Sequence, residues 1–253
     1  MRVYKMKNEN GKILGVIGGM GPAATQLFYR MIIDNTDAHS DQEHLNMIIL
    51  NHATMPDRTT AIMDGTIDKV LDKLAADAAY LEEGGATCIA IPCNTTHAVM
   101  DRLQARVNIP IINMIDETAA YVAELLGATA QNDASAPSGA STTPTVGIMA
   151  TSGNIKMELY QNACIAHGLN PVIPSPEKQE TVMRLIYDGV KNGGEVKFSD
   201  FEDVAGELED KGAQRIILGC TELSVIRELF SLTDFYVDAM QILARRSLEL
   251  CGK

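Results

Sequence analysis

The chain has 253 residues, of which 46% are apolar, and it carries a formal net charge of −12 with an isoelectric point near 4.8. This length supports one large domain or two smaller lobes. The acidic balance argues against a nucleic acid or an anionic membrane as partner. No apolar stretch reaches the roughly 20 residues of a membrane span, and the N-terminal segment lacks the apolar core of a signal peptide. Five cysteines without a CxxC pair favour reduced thiols, and therefore the cytoplasm.

The N-terminal half alternates between strand and helix patterns. Strands are predicted at 12–18, 46–51, 87–91 and 109–114, and helices at 23–35, 67–83, 94–107 and 116–126. Such alternation predicts a parallel α/β sheet. A glycine-rich turn, Gly18 to Pro22, follows the first strand. It lacks G-x-G-x-x-G spacing, so it favours a bound anion or substrate over a dinucleotide.

The pattern restarts after 127–144, a small, polar, low-complexity segment that we predict to be a flexible surface loop. Strands are predicted at 145–149, 168–173, 216–218 and 235–237, and helices at 155–167, 180–191, 200–211 and from 238 onward. The strand at Ile17 matches the strand at Ile148, which indicates an ancestral duplication.

We therefore predict an α/β fold of two pseudo-symmetric three-layer lobes with mainly parallel sheets. Residues 1–118 form an N-terminal lobe, with the C-terminal helix 238–253 packing back on it. Residues 119–237 form a C-terminal lobe, which includes the loop 127–144. The active site is expected in the cleft between the lobes.

Two cysteines occupy matching positions in the two halves. Cys93 and Cys220 each follow an apolar run of strand length and precede small polar residues that can begin a helix. Ligands of open α/β sheets bind beyond the carboxyl ends of strands. Helix N-termini favour a thiolate. Acid and base groups on opposite faces of one carbon are what inversion of a stereocentre requires. The alternative is that both are buried structural cysteines.

Four motifs together resemble the aspartate/glutamate racemase family. They are Gly15 to Pro22, Pro56 to Thr59, Pro92 to His97 and Gly219 to Leu223. Gly18-Gly19-Met20 stands where the cell-wall glutamate racemases typically carry Asp-Ser-Gly, which favours the aspartate racemase branch. The resemblance implies a homodimer that racemises an acidic amino acid without pyridoxal phosphate or another cofactor. One cysteine takes the α-proton as thiolate, and the other returns a proton as thiol.

The resemblance also implies roles for individual residues. Cys93 and Cys220 would be the catalytic pair, and the α-carboxylate and ammonium end would be held by Met20, Asn94, Thr95, Thr151 and Thr221. Arg58 would bind the side-chain carboxylate; the alternative is a surface ion pair with Asp57 or Asp64. The family often carries a lysine at the position of Thr181, and Lys178 is the candidate replacement. Glu222 would assist at the ammonium group or favour the helix N-terminus.

Other functions remain open on the sequence alone. A metal site built from Cys88, Cys93 and His97 has too few ligands, so no metal is expected. The alternatives to an aspartate or glutamate racemase are a related isomerase, a racemase of other small acids, and a non-catalytic amino-acid-binding protein of the same fold.

Overall fold

The computed structural model describes residues 11–128 and 143–253, so positions 129–142 of the predicted loop lie outside the described residues. The chain divides into two compact units. The first comprises Met1–Met114 together with Met240–Lys253, and the second comprises Ile115–Ala239.

The first unit contains a three-stranded parallel sheet in the order β2-β1-β3. Its strands are β1 (Ile13–Gly18), β2 (Asn46–Asn51) and β3 (Cys88–Ala90). The central strand β1 is buried along its whole length, which explains its unbroken apolar sequence. The predicted strand 109–114 is wrong. A single parallel bridge joins Ile89 to Ile111, because Pro110 has no N–H to continue the ladder.

The second unit contains a four-stranded parallel sheet in the order β5-β4-β6-β7. Its strands are β4 (Thr145–Ala150), β5 (Asn170–Val172), β6 (Arg215–Gly219) and β7 (Tyr236–Asp238). The order is that of the first sheet, with β4 in the place of β1 and β6 in the place of β3. The single bridge at Ile111 stands where the second unit has β7. The prediction of two related parallel α/β lobes is confirmed.

Helices connect the strands in both units. The α-helices of the described residues are α1 (Pro22–Asp34), α2 (Arg58–Met63), α3 (Ile67–Gly84), α4 (Met100–Gln104), α5 (Met114–Leu126), α6 (Ser152–Lys156), α7 (Leu159–Ala166), α8 (Pro176–Arg184), α9 (Phe198–Asp210), α10 (Thr221–Phe230) and α11 (Ala239–Cys251). Residues Asp41–Glu43 and Asn94–Val99 form 3₁₀ helices, and Leu185–Lys191 form a π-helix.

Three predicted helices differ from those observed. The helix expected at 94–107 is a 3₁₀ segment followed by the short α4. The helix expected at 155–167 is divided into α6 and α7, because Glu158 adopts a left-handed conformation between them. The helix expected at 180–191 begins earlier and passes from α8 into the π-helix.

Each unit has its own apolar core. In the first, the buried face of α3, which includes Leu74 and Leu81, packs with Ile89 of β3. In the second, Val204 and Leu208 of α9 pack with β4 and β6. These cores hold the central strands in place, so the residues that follow the strand ends are positioned by a rigid sheet.

Candidate active site

Cys93 lies just beyond the carboxyl end of β3. It is 5% exposed and precedes the 3₁₀ helix Asn94–Val99 as its N-cap residue. Its N–H donates to the carbonyl of Ile91 at 2.7 Å, which turns the chain sharply after the strand. Asn94 and Thr95, the next two residues, are also buried. The first unit therefore presents a thiol, an amide and a hydroxyl at one strand end, as the sequence predicts.

The glycine-rich turn lies at the carboxyl end of β1, the neighbouring strand. Gly19 has φ of 87°, and a Cβ atom there would lie 2.5 Å from the main-chain nitrogen of His52. Only glycine fits this close approach. The Gly19 N–H donates to the hydroxyl of Thr25 at 2.8 Å, which fixes the turn to the first turn of α1. This arrangement buries Met20 beside the end of the sheet.

Arg58 is a buried side chain of the first unit, with only 7% of its surface exposed. One guanidinium nitrogen donates to the carbonyl of Met20 at 2.9 Å, and another donates to the carbonyl of Pro56 at 3.1 Å. The alternative of a surface side chain is therefore wrong. Asp57 has another role, since its carboxylate caps α2 by accepting the N–H of Thr60 at 2.9 Å. The contacts place a cation next to the glycine-rich turn.

Cys220 lies beyond the carboxyl end of β6, in the position that Cys93 has beyond β3. It is 6% exposed and is the N-cap residue of α10. A Cβ atom on Gly219 would lie 2.7 Å from the ring of Tyr160, so the glycine lets this buried ring pack directly behind the end of the strand. The thiol of Cys220 is thus held at the same point of its sheet as the thiol of Cys93 in the other unit.

A carboxylate and a lysine surround the Cys220 thiol. The thiol donates to one carboxylate oxygen of Glu222 at 2.9 Å, and Lys191 contacts the other oxygen at 2.9 Å. Burial, and next the negative charge of Glu222, raise the pKa of Cys220 well above its usual range, although Lys191 acts in the opposite direction. The expectation that the helix N-terminus would favour a thiolate is therefore wrong for Cys220. In this structure it is a proton donor.

The remaining predicted residues of the second unit lie at the same edge of the sheet. Ala150 of β4 pairs with Gly219 of β6, so Thr151 and Cys220 follow neighbouring strand ends. Thr151 caps α6 by accepting the N–H of Asn154 at 3.2 Å. The hydroxyl of Thr221 lies 3.4 Å from the Glu222 carboxylate, to which it donates.

Two lysines of the second unit contact different carboxylates, and only one of these carboxylates lies beside Cys220. Lys178, the predicted substrate contact, lies on α8 and forms an ion pair with Asp203 of α9. This hydrogen bond raises the pKa of Lys178. Lys191, which the sequence does not predict as a site residue, ends the π-helix and contacts Glu222. The sequence holds no signal for this lysine, because a π-turn, although frequent at functional sites, does not show in the residue pattern.

Cys88 and His97, the other members of the metal alternative, are engaged elsewhere. The sulfur of Cys88 lies 3.6 Å from that of Cys251 on α11, which is buried although its position near the C-terminus gave no sign of this. His97 contacts main-chain groups of Cys93 and Met114. Within residues 11–128 and 143–253, no group of three or more His, Cys, Asp or Glu side chains could hold a metal ion.

The residues that match a family model extend from 17 to 246, and the model is that of the Asp/Glu/hydantoin racemases. The chain belongs to this family. The match includes both strand-end cysteines, the turn at Gly18 to Pro22, and Arg58. The sequence-based assignment to the racemases is confirmed.

Individual proteins with similar sequences or structures are also racemases by name. The aspartate racemase of Picrophilus torridus has a similar structure, with a TM-score of 0.77 and 26% identity over 96% of this chain and 95% of that one. The broad specificity amino-acid racemase RacX of Bacillus subtilis is 24% identical over 93% of this chain and 96% of its own length. A glutamate racemase of Francisella tularensis, solved with D-glutamate, shares the fold at a TM-score of 0.60 and 18% identity, with 96% of this chain and 81% of that one covered.

No helix in the described part of the chain combines the length and apolarity that crossing a membrane requires.

Proposed function

We propose that this protein racemises aspartate, glutamate or both by two-base proton transfer at the α-carbon. The observation that carries the proposal is the matched position of two buried thiols, Cys93 and Cys220, each within three residues of the carboxyl end of a corresponding strand. In the proposed reaction the two thiols lie on opposite faces of the α-carbon of one bound amino acid. No cofactor is required, because thiols carry both protons.

The reaction balances in protons and electrons. In one direction, the Cys93 thiolate removes the α-proton, and the electron pair of the C–H bond remains on the substrate. The Cys220 thiol then delivers a proton to the opposite face of the same carbon. The product is the other enantiomer, and the enzyme is left with a Cys93 thiol and a Cys220 thiolate. The reverse reaction, or proton exchange with solvent, restores the starting form.

Glu222 is positioned to accept the proton of the Cys220 thiol. Its carboxylate accepts a hydrogen bond from the thiol. When Cys220 is to act as the base in the reverse direction, Glu222 can take the thiol proton and pass it to solvent, which leaves the thiolate that removes the α-proton. Lys191 contacts the same carboxylate and places a positive charge beside it. This role differs from the ammonium contact that the resemblance implies, and it is supported by a direct sulfur–oxygen contact.

The substrate would be held at the two strand ends. Asn94 and Thr95 in one unit, and Thr151 and Thr221 in the other, provide amide and hydroxyl groups for the α-carboxylate and the ammonium. Arg58 provides the cation for the side-chain carboxylate, since its planar guanidinium suits bidentate binding.

Lys191 is a better second cation than Lys178, because the carboxylate that it contacts, Glu222, lies against the Cys220 thiol, whereas Lys178 contacts Asp203 of α9. Replacing each lysine by methionine separates them. We expect Lys191→Met to raise the KM for aspartate, and Lys178→Met to leave it near the wild-type value. The opposite result would restore Lys178 as the substrate contact.

Hydrogen exchange at the α-carbon tests the reaction itself. The purified protein is incubated in D₂O with L- and D-aspartate and with L- and D-glutamate, and deuterium at the α-position is followed by NMR. We expect exchange with inversion in the wild type. Cys93→Ser and Cys220→Ser should each abolish inversion, and each should retain exchange for one enantiomer only. Cys164→Ser removes a buried thiol of α7 and is the matched control. A folded protein that exchanges none of these substrates would refute the proposal.

A second candidate is racemisation of a wider range of amino acids. Arg58 already donates to two main-chain carbonyls, so it has fewer N–H groups with which to bind a substrate carboxylate. The name of the Bacillus subtilis relative, a broad specificity amino-acid racemase, agrees with this candidate. The same exchange assay with alanine, lysine and methionine distinguishes the two, since a specific acidic-substrate enzyme leaves these unlabelled.

The assembly we propose is a homodimer. Light scattering of the purified chain would give about twice the 27.4 kDa of one chain if this is correct.

A further inference from the structure

His97 joins the main chain of Cys93 to the beginning of α5. Its Nδ1 lies 3.0 Å from the carbonyl oxygen of Cys93, and its Nε2 lies 3.1 Å from the main-chain nitrogen of Met114. The Met114 N–H can only donate, so Nε2 accepts and carries no proton. Nδ1 must then carry the ring proton and donate it to Cys93. The two contacts together determine the tautomer.

The ring is neutral at physiological pH. It is 6% exposed, and burial lowers its pKa from 6.5 to about 4. A doubly protonated ring would carry a proton on Nε2 and would lose the Met114 hydrogen bond. His97 therefore acts here as a fixed donor and acceptor. Both ring nitrogens are engaged with main-chain groups, so we do not assign His97 as an acid or base of the reaction.

The main chain is ordered differently at the two cysteines. The conformation at Cys93 depends more on individual hydrogen bonds, and the conformation at Cys220 depends more on a regular helix. Cys93 precedes a 3₁₀ helix of six residues, in which hydrogen-bond geometry is poorer than in an α-helix, whereas Cys220 begins the ten-residue α10. At Cys93 the N–H is held by the Ile91 carbonyl, and the carbonyl is held by His97. The imidazole thus replaces part of the ordering that a regular helix provides.

We propose that His97 is a positioning residue, which holds the Cys93 thiol in register with the α-carbon through the hydrogen bond from Nδ1. The inference rests on the proposed function, in which Cys93 exchanges a proton with the substrate. A purely structural histidine would need both of its contacts to a similar extent. A positioning histidine needs the contact to Cys93 more than the contact to Met114.

Two substitutions separate the contacts. In His97→Asn, the side-chain amide nitrogen occupies the place of Nδ1 and can still donate to Cys93. In His97→Gln, the amide lies near the place of Nε2, where its oxygen can still accept the Met114 N–H. Each variant keeps one of the two hydrogen bonds, and both remove the ring. The readouts are kcat and KM with aspartate and glutamate, and the melting temperature.

We expect His97→Gln to lower kcat by about 10- to 100-fold, because displacing a reacting group by about 1 Å costs that order of rate. Its KM should change little, since the substrate contacts remain. We expect His97→Asn to retain most of kcat, although both variants melt at lower temperature. Equal losses of kcat in the two variants, losses that follow the melting temperature, or a glutamine variant with wild-type kcat would each overturn the proposal.

A measurement without turnover keeps this inference separate from the proposed function. Cys93 is buried, so its alkylation by iodoacetamide reports the opening of the segment around it, and peptide mass spectrometry assigns the label to Cys93. We expect faster labelling of Cys93 in His97→Gln and a wild-type rate in His97→Asn. If the protein exchanges no amino acid but shows this pattern, the proposed function fails and His97 still positions the thiol. Equal labelling rates in all three proteins would refute the positioning role.

Discussion

The buried His97 should make the folded protein sensitive to mild acid. Its pKa is about 4 in the folded chain, compared with 6.5 for an ordinary histidine. Between these values the unfolded chain binds a proton that the folded chain does not, so stability is complete above pH 6.5 and is lost as the pH falls toward 4. One pKa unit corresponds to about 1.4 kcal/mol. His97 should therefore lower the free energy of unfolding by about 3 kcal/mol between pH 7 and pH 4, of which about 1 kcal/mol is lost by pH 5.5.

Urea unfolding of the wild type and of His97→Asn, at pH 7, 5.5 and 4, measures this contribution. Asparagine does not titrate in this range, so the variant should start less stable at pH 7 but lose about 3 kcal/mol less on acidification. Every other titrating group is common to both proteins and cancels in the comparison. Parallel pH dependences for the two proteins would show that His97 is protonated as easily in the folded chain as in the unfolded one. The fixed neutral tautomer would then be wrong.

Three further changes test the site and its surroundings. Glu222→Gln should speed alkylation of Cys220, because it removes a charge that raises the pKa of the thiol. It should nevertheless lower kcat by about 10²- to 10⁴-fold, because the thiol loses its proton acceptor. Faster alkylation with an unchanged kcat would exclude the proton-transfer role of Glu222. Mild peroxide should join Cys88 to Cys251, whose sulfur atoms lie 3.6 Å apart, with loss of two hydrogens from the mass of the chain, and Cys251→Ser should prevent it. Arg58→Lys should raise the KM for aspartate, because lysine lacks the planar fork that binds a carboxylate; a lower melting temperature with an unchanged KM would assign Arg58 to the architecture of the turn.

The sequence predicts most clearly what repeats in both halves. The apolar runs before Cys93 and Cys220 are short, are bounded by turn residues and are buried on both faces, so their period and length identify them as central strands. Once the strands are known to be parallel, their carboxyl ends must lie at one edge. The placement of both thiols at strand ends follows from this, as does that of the turn after β1.

The parts that the sequence did not predict depend on contacts between distant residues. Lys191 reaches Glu222 from a π-helix, and an α-helical pattern gives no sign of the extra residue in that turn. The position of Lys178 in the chain predicts a substrate contact, but the carboxylate of Asp203 on the next helix contacts this lysine. The sequence analysis expects the last helix to pack on the first lobe, but it does not predict that Cys251 contacts Cys88, because no local pattern shows which side chains of distant elements meet.

The duplicated fold does not make the two thiols equivalent. Cys93 is followed by neutral polar residues and is anchored through a neutral imidazole, whereas Cys220 lies against the Glu222 carboxylate, which is paired with Lys191. Burial and the Glu222 carboxylate raise the pKa of Cys220, so in the proposed reaction the form of the enzyme that carries a Cys220 thiolate is disfavoured. Because enantiomers have equal free energies, kcat/KM must nevertheless be the same in both directions. The difference between the two protonation forms therefore has to appear in kcat and in KM separately. Both constants are larger for one enantiomer than for the other, and they are larger by the same factor. Progress curves started from L- and from D-aspartate measure this factor. A value of one in the wild type, with no change on replacing Glu222 by glutamine, would mean that the surroundings of Cys220 do not influence the proton transfer.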